Sequence, residues 1–252
     1  MADYNYLELV NTLNRRLNEV ELTSANFSTA VGYYAQAKDA INASIRHINQ
    51  QEFEWPFNHV EQEDTLTAGT TRYPFPADTK VIDWESFRIQ QDDTIGNDTK
   101  KLVRITYDEY LQSAVDQEYE TSTSKRDLPR YVFMARNFHY GMVPAPDAAY
   151  TVTYEYYCAP VDLILYSDVP TIPERFKHVI SEGAMYYTYM FRGNLQAAGV
   201  ALQMFEAGIK TMQTMLINDF VRVSSTMISQ NTGSNTRLGV AIATSGSSLD
   251  NL

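Results

Sequence analysis

The chain has 252 residues, 44% of them hydrophobic, so it can bury a core as one large domain or two smaller ones. Its single cysteine, Cys158, excludes an internal disulfide and a metal site built from several cysteines. A net charge of −11 argues against a general nucleic-acid-binding surface, which would carry a basic excess. Because no apolar run resembles a signal peptide or a membrane span, we expect neither.

The N-terminal part has the apolar spacing of two helices. The first amphipathic helix is predicted over residues 4–19, and a polar break follows at residues 23–26. A longer second helix is predicted from about Phe27 to Gln51. Because the connection is short, the two helices are expected to pack antiparallel.

Residues 52–125 change to strand-like and turn-like patterns. Trp55 precedes a proline and is therefore expected in an extended segment. Thr106 and Glu109 match a capping box that opens a short helix through Val115. Other predicted features of this region are an edge strand with a turn at 70–78, strands at 81–90 and 100–105, and a surface loop at 117–125.

The clearest strand pattern lies in residues 128–160 and predicts a β-meander. Two short runs, residues 131–135 and 138–143, are joined by a turn at Arg136-Asn137. The third run alternates with a period of two, typical of a half-buried antiparallel strand. One of its faces is predicted to consist of Val152, Tyr154, Tyr156 and Cys158.

Two further helices are predicted after residue 170. The first begins either with Thr171 and Glu174 as a capping box or with Ile172 as the cap before Pro173, and the sequence leaves both open. It is expected to stop at Arg192-Gly193-Asn194. The second carries an apolar seam for helix packing, formed by Ala198, Leu202, Phe205, Ile209, Met212 and Leu216.

The C-terminal segment, residues 224–252, is polar and of low complexity. Ser, Thr, Gly and Asn account for 17 of its 29 residues, so alone it cannot bury enough apolar area to become ordered. We therefore predict an α+β fold in which a bundle of two N-terminal and two C-terminal helices carries an inserted antiparallel β-domain. The predicted parts are residues 1–51, 52–170, 171–220 and an extended tail at 221–252 that docks on a partner.

No catalytic constellation is found in the sequence, and no catalytic, cofactor-binding or metal-binding residue is assigned. Cys158 and His139 could form a thiol nucleophile with its base. Because Cys158 falls on the apolar face of its strand, it is interpreted as a packed, inert thiol. The histidines lack metal-site spacing. The acidic runs 61–64 and 92–93 are interpreted as solvated faces, and phosphate-binding glycine loops are absent. The basic spot Lys100-Lys101-x-x-Arg104 is too small for a nucleic-acid footprint.

A series of short motifs follows in a defined order over about residues 4–220. The series resembles the head-to-tail adaptor (connector, or neck) proteins of tailed bacteriophages. The helix that begins it contains Glu8-Leu9-Val10-Asn11-Thr12-Leu13-Asn14-Arg15-Arg16-Leu17. The motifs that follow are Trp55-Pro56-Phe57, Tyr73-Pro74-Phe75-Pro76, Leu128-Pro129-Arg130-Tyr131, Val143-Pro144-Ala145-Pro146-Asp147, Tyr154-Glu155-Tyr156 and Ile172-Pro173-Glu174.

The resemblance implies a non-enzymatic structural virion protein without a cofactor, assembled in the host cytoplasm. It implies a dodecameric ring in the neck, docked below the portal, with the helical part forming the ring body and the DNA conduit. The C-terminal tail would bind the portal, and the β-domain would face the tail nozzle or tail-tube proteins. An acidic conduit would let DNA pass without sticking, which agrees with the charge of −11.

Two alternatives remain open at this stage. The first is a tail-tube or tail-completion protein, against which the C-terminal helices argue. The second is a glycan-binding or glycan-hydrolysing domain that uses aromatic residues as a sugar platform and Glu155 or Asp147 as acid and base. The abundance of aromatic residues, with 18 Tyr and 11 Phe, fits either a strand-rich core or an extensive protein interface.

Overall fold

A computed structural model describes residues 4–90, 99–116 and 123–217. Within these ranges the chain has five α-helices and eight β-strands, which confirms the predicted α+β class. The helices are α1 (Tyr6–Arg16), α2 (Tyr33–Gln51), α3 (Tyr107–Ser113), α4 (Lys177–Phe191) and α5 (Leu195–Leu216). The strands are β1 (His59–Thr65), β2 (Arg72–Pro74), β3 (Thr79–Gln90), β4 (Thr99–Lys101), β5 (Val103–Arg104), β6 (Tyr131–Ala135), β7 (His139–Val143) and β8 (Thr151–Cys158).

The chain divides into a compact unit that ends at Met212 and a second unit that begins at Gln213. The predicted tail at 221–252 lies outside the described residues. The four predicted parts and the bundle arrangement of the helices therefore stay predictions. None of the helices in the described ranges is both long and apolar enough to cross a membrane.

The N-terminal helices form where the apolar spacing predicted them, but α2 begins later than expected. Gly32 precedes it with φ of +65°, a left-handed conformation that glycine adopts without strain and that interrupts a helix. The predicted start at Phe27 is therefore wrong. Phe27 is buried in the preceding turns, where its ring lies edge-on to Tyr6 at 5.1 Å between centroids.

α4 ends at the predicted stop, Arg192-Gly193-Asn194, and α5 follows directly. Gly193 has φ of +73°, and its backbone N–H donates to the Met190 carbonyl at 3.1 Å. The two suggested starts for α4 are both wrong. Pro173 is extended and is followed by a turn of 3₁₀ helix at Glu174–Phe176, so the α-helix begins only at Lys177.

The strands form two four-stranded sheets, ordered β1-β8-β3-β4 and β2-β7-β6-β5. The predicted meander is wrong in its third strand. β6 and β7 pair antiparallel as expected, but β8 lies between β1 and β3 in the other sheet. Pro144 and Pro146 follow β7 and have no amide N–H to donate, so the chain leaves the ladder there and crosses to the sheet of β1, β8, β3 and β4.

The two sheets enclose an aromatic core. Tyr154 of β8 stacks on Phe87 of β3 at 4.6 Å, and Tyr140 of β7 packs against both rings. Val152 and Tyr156 are also buried, so the predicted alternation of β8 is confirmed. These aromatic side chains hold the sheets together and do not form an exposed sugar platform.

The remaining strands agree with the sequence pattern in part. β2 is at the edge of its sheet, as its proline required. The capping box of Thr106 and Glu109 is present. The strand predicted at 100–105 is instead split at the buried Leu102, whose N–H donates to the Phe87 carbonyl, and its halves belong to different sheets.

Candidate interaction surfaces

The thiol considered as a nucleophile is in an unfavourable environment. Cys158 ends β8, whereas His139 begins β7 in the other sheet. Burial, followed by the charge of Asp78, raises the pKa of the Cys158 thiol. The reactive thiolate is therefore scarce at neutral pH. The geometry supports the interpretation of Cys158 as a packing residue.

The acidic run 61–64 contains a structural carboxylate. Asp64 accepts hydrogen bonds from the hydroxyls of Tyr140 at 2.7 Å and Tyr154 at 3.2 Å. Burial, together with the neighbouring Asp64, raises the pKa of both tyrosines. The interpretation of this run as a purely solvated face is therefore wrong at Asp64, which satisfies two core hydroxyls at the sheet edge.

The two carboxylates considered for sugar chemistry already have partners. Glu155 lies 3.0 Å from His59 Nε2. Asp147 accepts a hydrogen bond from the Tyr150 hydroxyl at 2.7 Å, which raises the pKa of Tyr150 to about 12. Asp92 and Asp93 lie outside the described residues. The glycan hypothesis thus gains no support from these contacts.

An ordered loop of residues 161–169 lies between β8 and the 3₁₀ turn before α4. Its backbone is fixed at several points to the N-terminal helices. The Asn42 side chain both donates to the Leu163 carbonyl and accepts from its N–H, each at 3.0 Å. The Tyr6 and Leu7 amides donate to the carbonyls of Asp168 and Tyr166. The loop therefore has one defined conformation.

The 161–169 loop is fixed internally by a carboxylate. Asp168 Oδ2 accepts from the N–H groups of Ile164 and Leu165, both at 2.7 Å. Only Leu163 points inward and is buried. The outward apolar side chains are between 45% and 77% exposed, namely Val161, Ile164, Leu165, Tyr166 and Val169. A fixed backbone with outward apolar side chains is typical of a preformed interface.

A second apolar surface, here called the α4–α5 surface, follows the end of α4 and the outer side of α5. Its members are 45% to 69% exposed, namely Met190, Phe191, Leu195, Val200 and Met204. The charged residues of α5 are Glu206 and Lys210 alone among its 22 residues. A helix with so few charges is normally covered on both sides, so this outer side suits contact with another protein.

A basic groove lies at the β5–β6 edge of the second sheet. Along the sequence, Lys100-Lys101-x-x-Arg104 is too small for a nucleic-acid footprint, yet the fold places Lys100 and Lys101 together with Arg130 around a cavity of about 460 Å³. Asp127 also lines this cavity and pairs with Arg130, so the groove has a basic excess and one acidic group. An adjoining cavity of about 430 Å³ adds Lys125 and Arg126. The spacing along the chain could not reveal this groove, because its residues come from two separate segments.

Comparison with known proteins gives one family. The model of the family described as SU10 adaptor protein matches residues 4–230, nearly the whole chain. No curated protein matches the chain.

Proposed function

Because this chain belongs to the SU10 adaptor protein family, a family of bacteriophage structural proteins, we propose that it forms a ring that joins the portal to the tail. The observation that carries this proposal is the 161–169 loop, whose backbone is fixed by Asn42 while Ile164 and Leu165 face outward. An isolated subunit gains no stability from apolar side chains that stay exposed to water, whereas a neighbouring subunit would bury them.

The two apolar surfaces support a closed ring. A ring of identical subunits needs heterologous contacts, in which one surface of a subunit binds a different surface of its neighbour. The 161–169 loop and the α4–α5 surface are two such surfaces, and both present exposed apolar side chains. Their burial would stabilise each contact by roughly 25 cal/mol per Å² of apolar area.

The remaining partners follow from the family and from the charge distribution. The polar segment at 221–252 binds the portal. The β-sheets face the tail nozzle or tail-tube proteins, and their basic groove suits an acidic partner surface there. The net charge of −11 lets DNA pass through the conduit without being held. The chain acts without catalysis and within the virion neck.

A charge placed on the 161–169 loop tests the ring. Leu165→Glu should weaken association between copies on the cognate portal at least about tenfold, because burying an unpaired carboxylate costs more than about 1.4 kcal/mol. Ser167→Glu is the matched control, since Ser167 is exposed on the same loop and adds the same charge without removing an apolar contact. Native mass spectrometry would count the copies bound per portal.

The two variants separate the proposal from a general charge effect. The proposal expects full occupancy with Ser167→Glu and incomplete occupancy with Leu165→Glu, with both variants folded by circular dichroism. Full rings with Leu165→Glu would show that the 161–169 loop is not a subunit interface. The tail-tube alternative would instead give association without the portal.

A further inference from the structure

Three residues of types that can ligate metals lie together on the outer face of the first sheet. His59 is on β1, Asp83 on β3 and Glu155 on β8, which lies between them. Asp83 is directly opposite Glu155 in the register, and His59 is opposite Tyr157. One nitrogen of His59 and one oxygen of each carboxylate all lie within 4.8 Å of one another.

The neighbours of these residues hold the donor atoms in place. The His59 ring stacks on Tyr157 at 4.7 Å with an interplanar angle of 18°. The Asp83 carboxylate accepts from the Glu85 N–H at 2.9 Å, within the irregularity that interrupts β3 after Asp83. Ser86 Oγ donates to the Asp83 carbonyl and accepts from the Glu155 N–H. Such supporting contacts orient the ligands of metal sites.

The charges on this face favour a bound cation. Glu155 on β8 has Glu61 of β1 opposite it on one side and Asp83 of β3 on the other. Three carboxylates therefore form one row across three strands. Like charges directly opposite each other destabilise a sheet. His59 Nε2 lies 3.0 Å from the Glu155 carboxylate. A divalent ion would offset two of the three negative charges.

We propose that His59, Asp83 and Glu155 bind one divalent transition-metal ion of the zinc class. An imidazole nitrogen with two carboxylate oxygens is a donor set that Zn²⁺ accepts, whereas Mg²⁺ and Ca²⁺ prefer oxygen alone. Water completes the coordination, because the site is open to solvent. The ion ties the edge strand β1 to β8 and β3. This site is independent of the proposed ring.

Spacing along the chain could not reveal this site. The residues are far apart in sequence and come from three strands, and the expectation of no metal site rested on the lack of paired histidines at short spacing. The register of β8 with both neighbours is what brings them together. Neither the family match nor the ring proposal requires the ion.

Zinc titration of the full chain tests the proposal. After treatment with a chelator and its removal, isothermal titration calorimetry with ZnCl₂ should give one ion per chain, and the midpoint of thermal unfolding should rise with zinc concentration. Mg²⁺ should bind far more weakly. Co²⁺ bound in place of zinc should give an absorption spectrum of mixed nitrogen and oxygen coordination. This measurement requires no variant.

Two pairs of variants assign the ligands. His59→Ala and Glu155→Gln should each lower zinc affinity at least about tenfold, the usual minimum for loss of one metal-supporting group. His178→Ala and Glu63→Gln are the controls, since both residues are exposed and lie outside the cluster. Both controls should bind zinc as the unaltered chain does.

Three results would overturn the proposal. The first is an unaltered chain that binds no zinc at millimolar concentration. The second is a folded His59→Ala protein with unchanged affinity. The third is an equal loss of affinity in Glu63→Gln, which would show a diffuse acidic surface in place of a defined site. If His59→Ala fails to fold, the Co²⁺ spectrum of the unaltered chain decides whether an imidazole nitrogen binds the ion.

Discussion

Single polar side chains fix the positions of long segments in this chain. Asn42 is buried on α2 and binds both backbone groups of Leu163. Asn11 on α1 does the same for Leu22, donating to its carbonyl and accepting from its N–H at 2.8 Å each. Because a buried amide left without partners costs about 1–3 kcal/mol, each asparagine specifies one position of the loop that it holds.

A histidine between the helices should make stability depend on pH. His47 on α2 contacts the Tyr187 hydroxyl at 2.9 Å and the edge of the Phe205 ring, and Gln51 is its other polar neighbour. Burial lowers the pKa of His47 below 6.5, although Glu206 opposes the shift. The unfolded chain therefore binds a proton at a pH where the folded chain does not.

The sign of the effect follows from this difference in protonation. Above pH 6.5 both states are neutral at His47, so its contribution is constant. As pH falls from 6.5 towards the lowered pKa, the free energy of unfolding decreases. Urea unfolding at several pH values should show a smaller decrease for His47→Gln than for the unaltered chain. His178→Gln, at an exposed position, should leave the decrease unchanged, and an identical profile for His47→Gln would contradict this account.

At the scale of elements, the closeness of α2, α4 and α5 depends on one glycine. A Cβ at Gly183 on α4 would lie 2.6 Å from Phe205 Cε2 and closer still to Ser44 Oγ. Ser44 donates across to the Ile180 carbonyl at 3.0 Å, so it has little room to move. The small residue is therefore required by the packing of the three helices.

Two helical glycines give a matched test of this packing. Gly183→Ala should destabilise the fold by about 1–3 kcal/mol through overpacking. Gly199→Ala on α5 meets nothing within 4 Å and should stabilise by up to about 1 kcal/mol through helix propensity. Thermal and urea unfolding measure both. Equal effects of the two substitutions would show that the helices accommodate a methyl group at residue 183.

The elements also show what sequence can and cannot predict. The period of two in β8 predicted its buried face, because alternation is a local property. Its sheet partners are β1 and β3, and nothing local to residues 151–158 indicates them. The end of α4 was predictable because Gly193 marks a helix stop, whereas the start of α2 depends on Gly32 in a long turn region.

At the scale of the whole molecule, the sequence indicated that an interaction surface could exist but not which residues form it. Composition indicated an aromatic-rich chain with a core or an interface, and the structure assigns Phe87, Tyr140 and Tyr154 to the core. The sequence pattern of residues 161–169 gave no indication of an interface. Their outward apolar side chains depend on the bonds made by Asn42 and Asp168, which no periodicity reveals. The metal-binding cluster depends in the same way on strand register.

The central claim is that neighbouring subunits cover the apolar surfaces of this chain and that the segment 221–252 binds the portal. The most direct measurement is native mass spectrometry of the full chain mixed with its cognate portal, beside a variant that lacks residues 224–252. The account predicts a dodecameric ring on the portal for the full chain. It predicts a folded protein that does not bind the portal for the truncated one. A full chain that stays monomeric with the portal would contradict the claim.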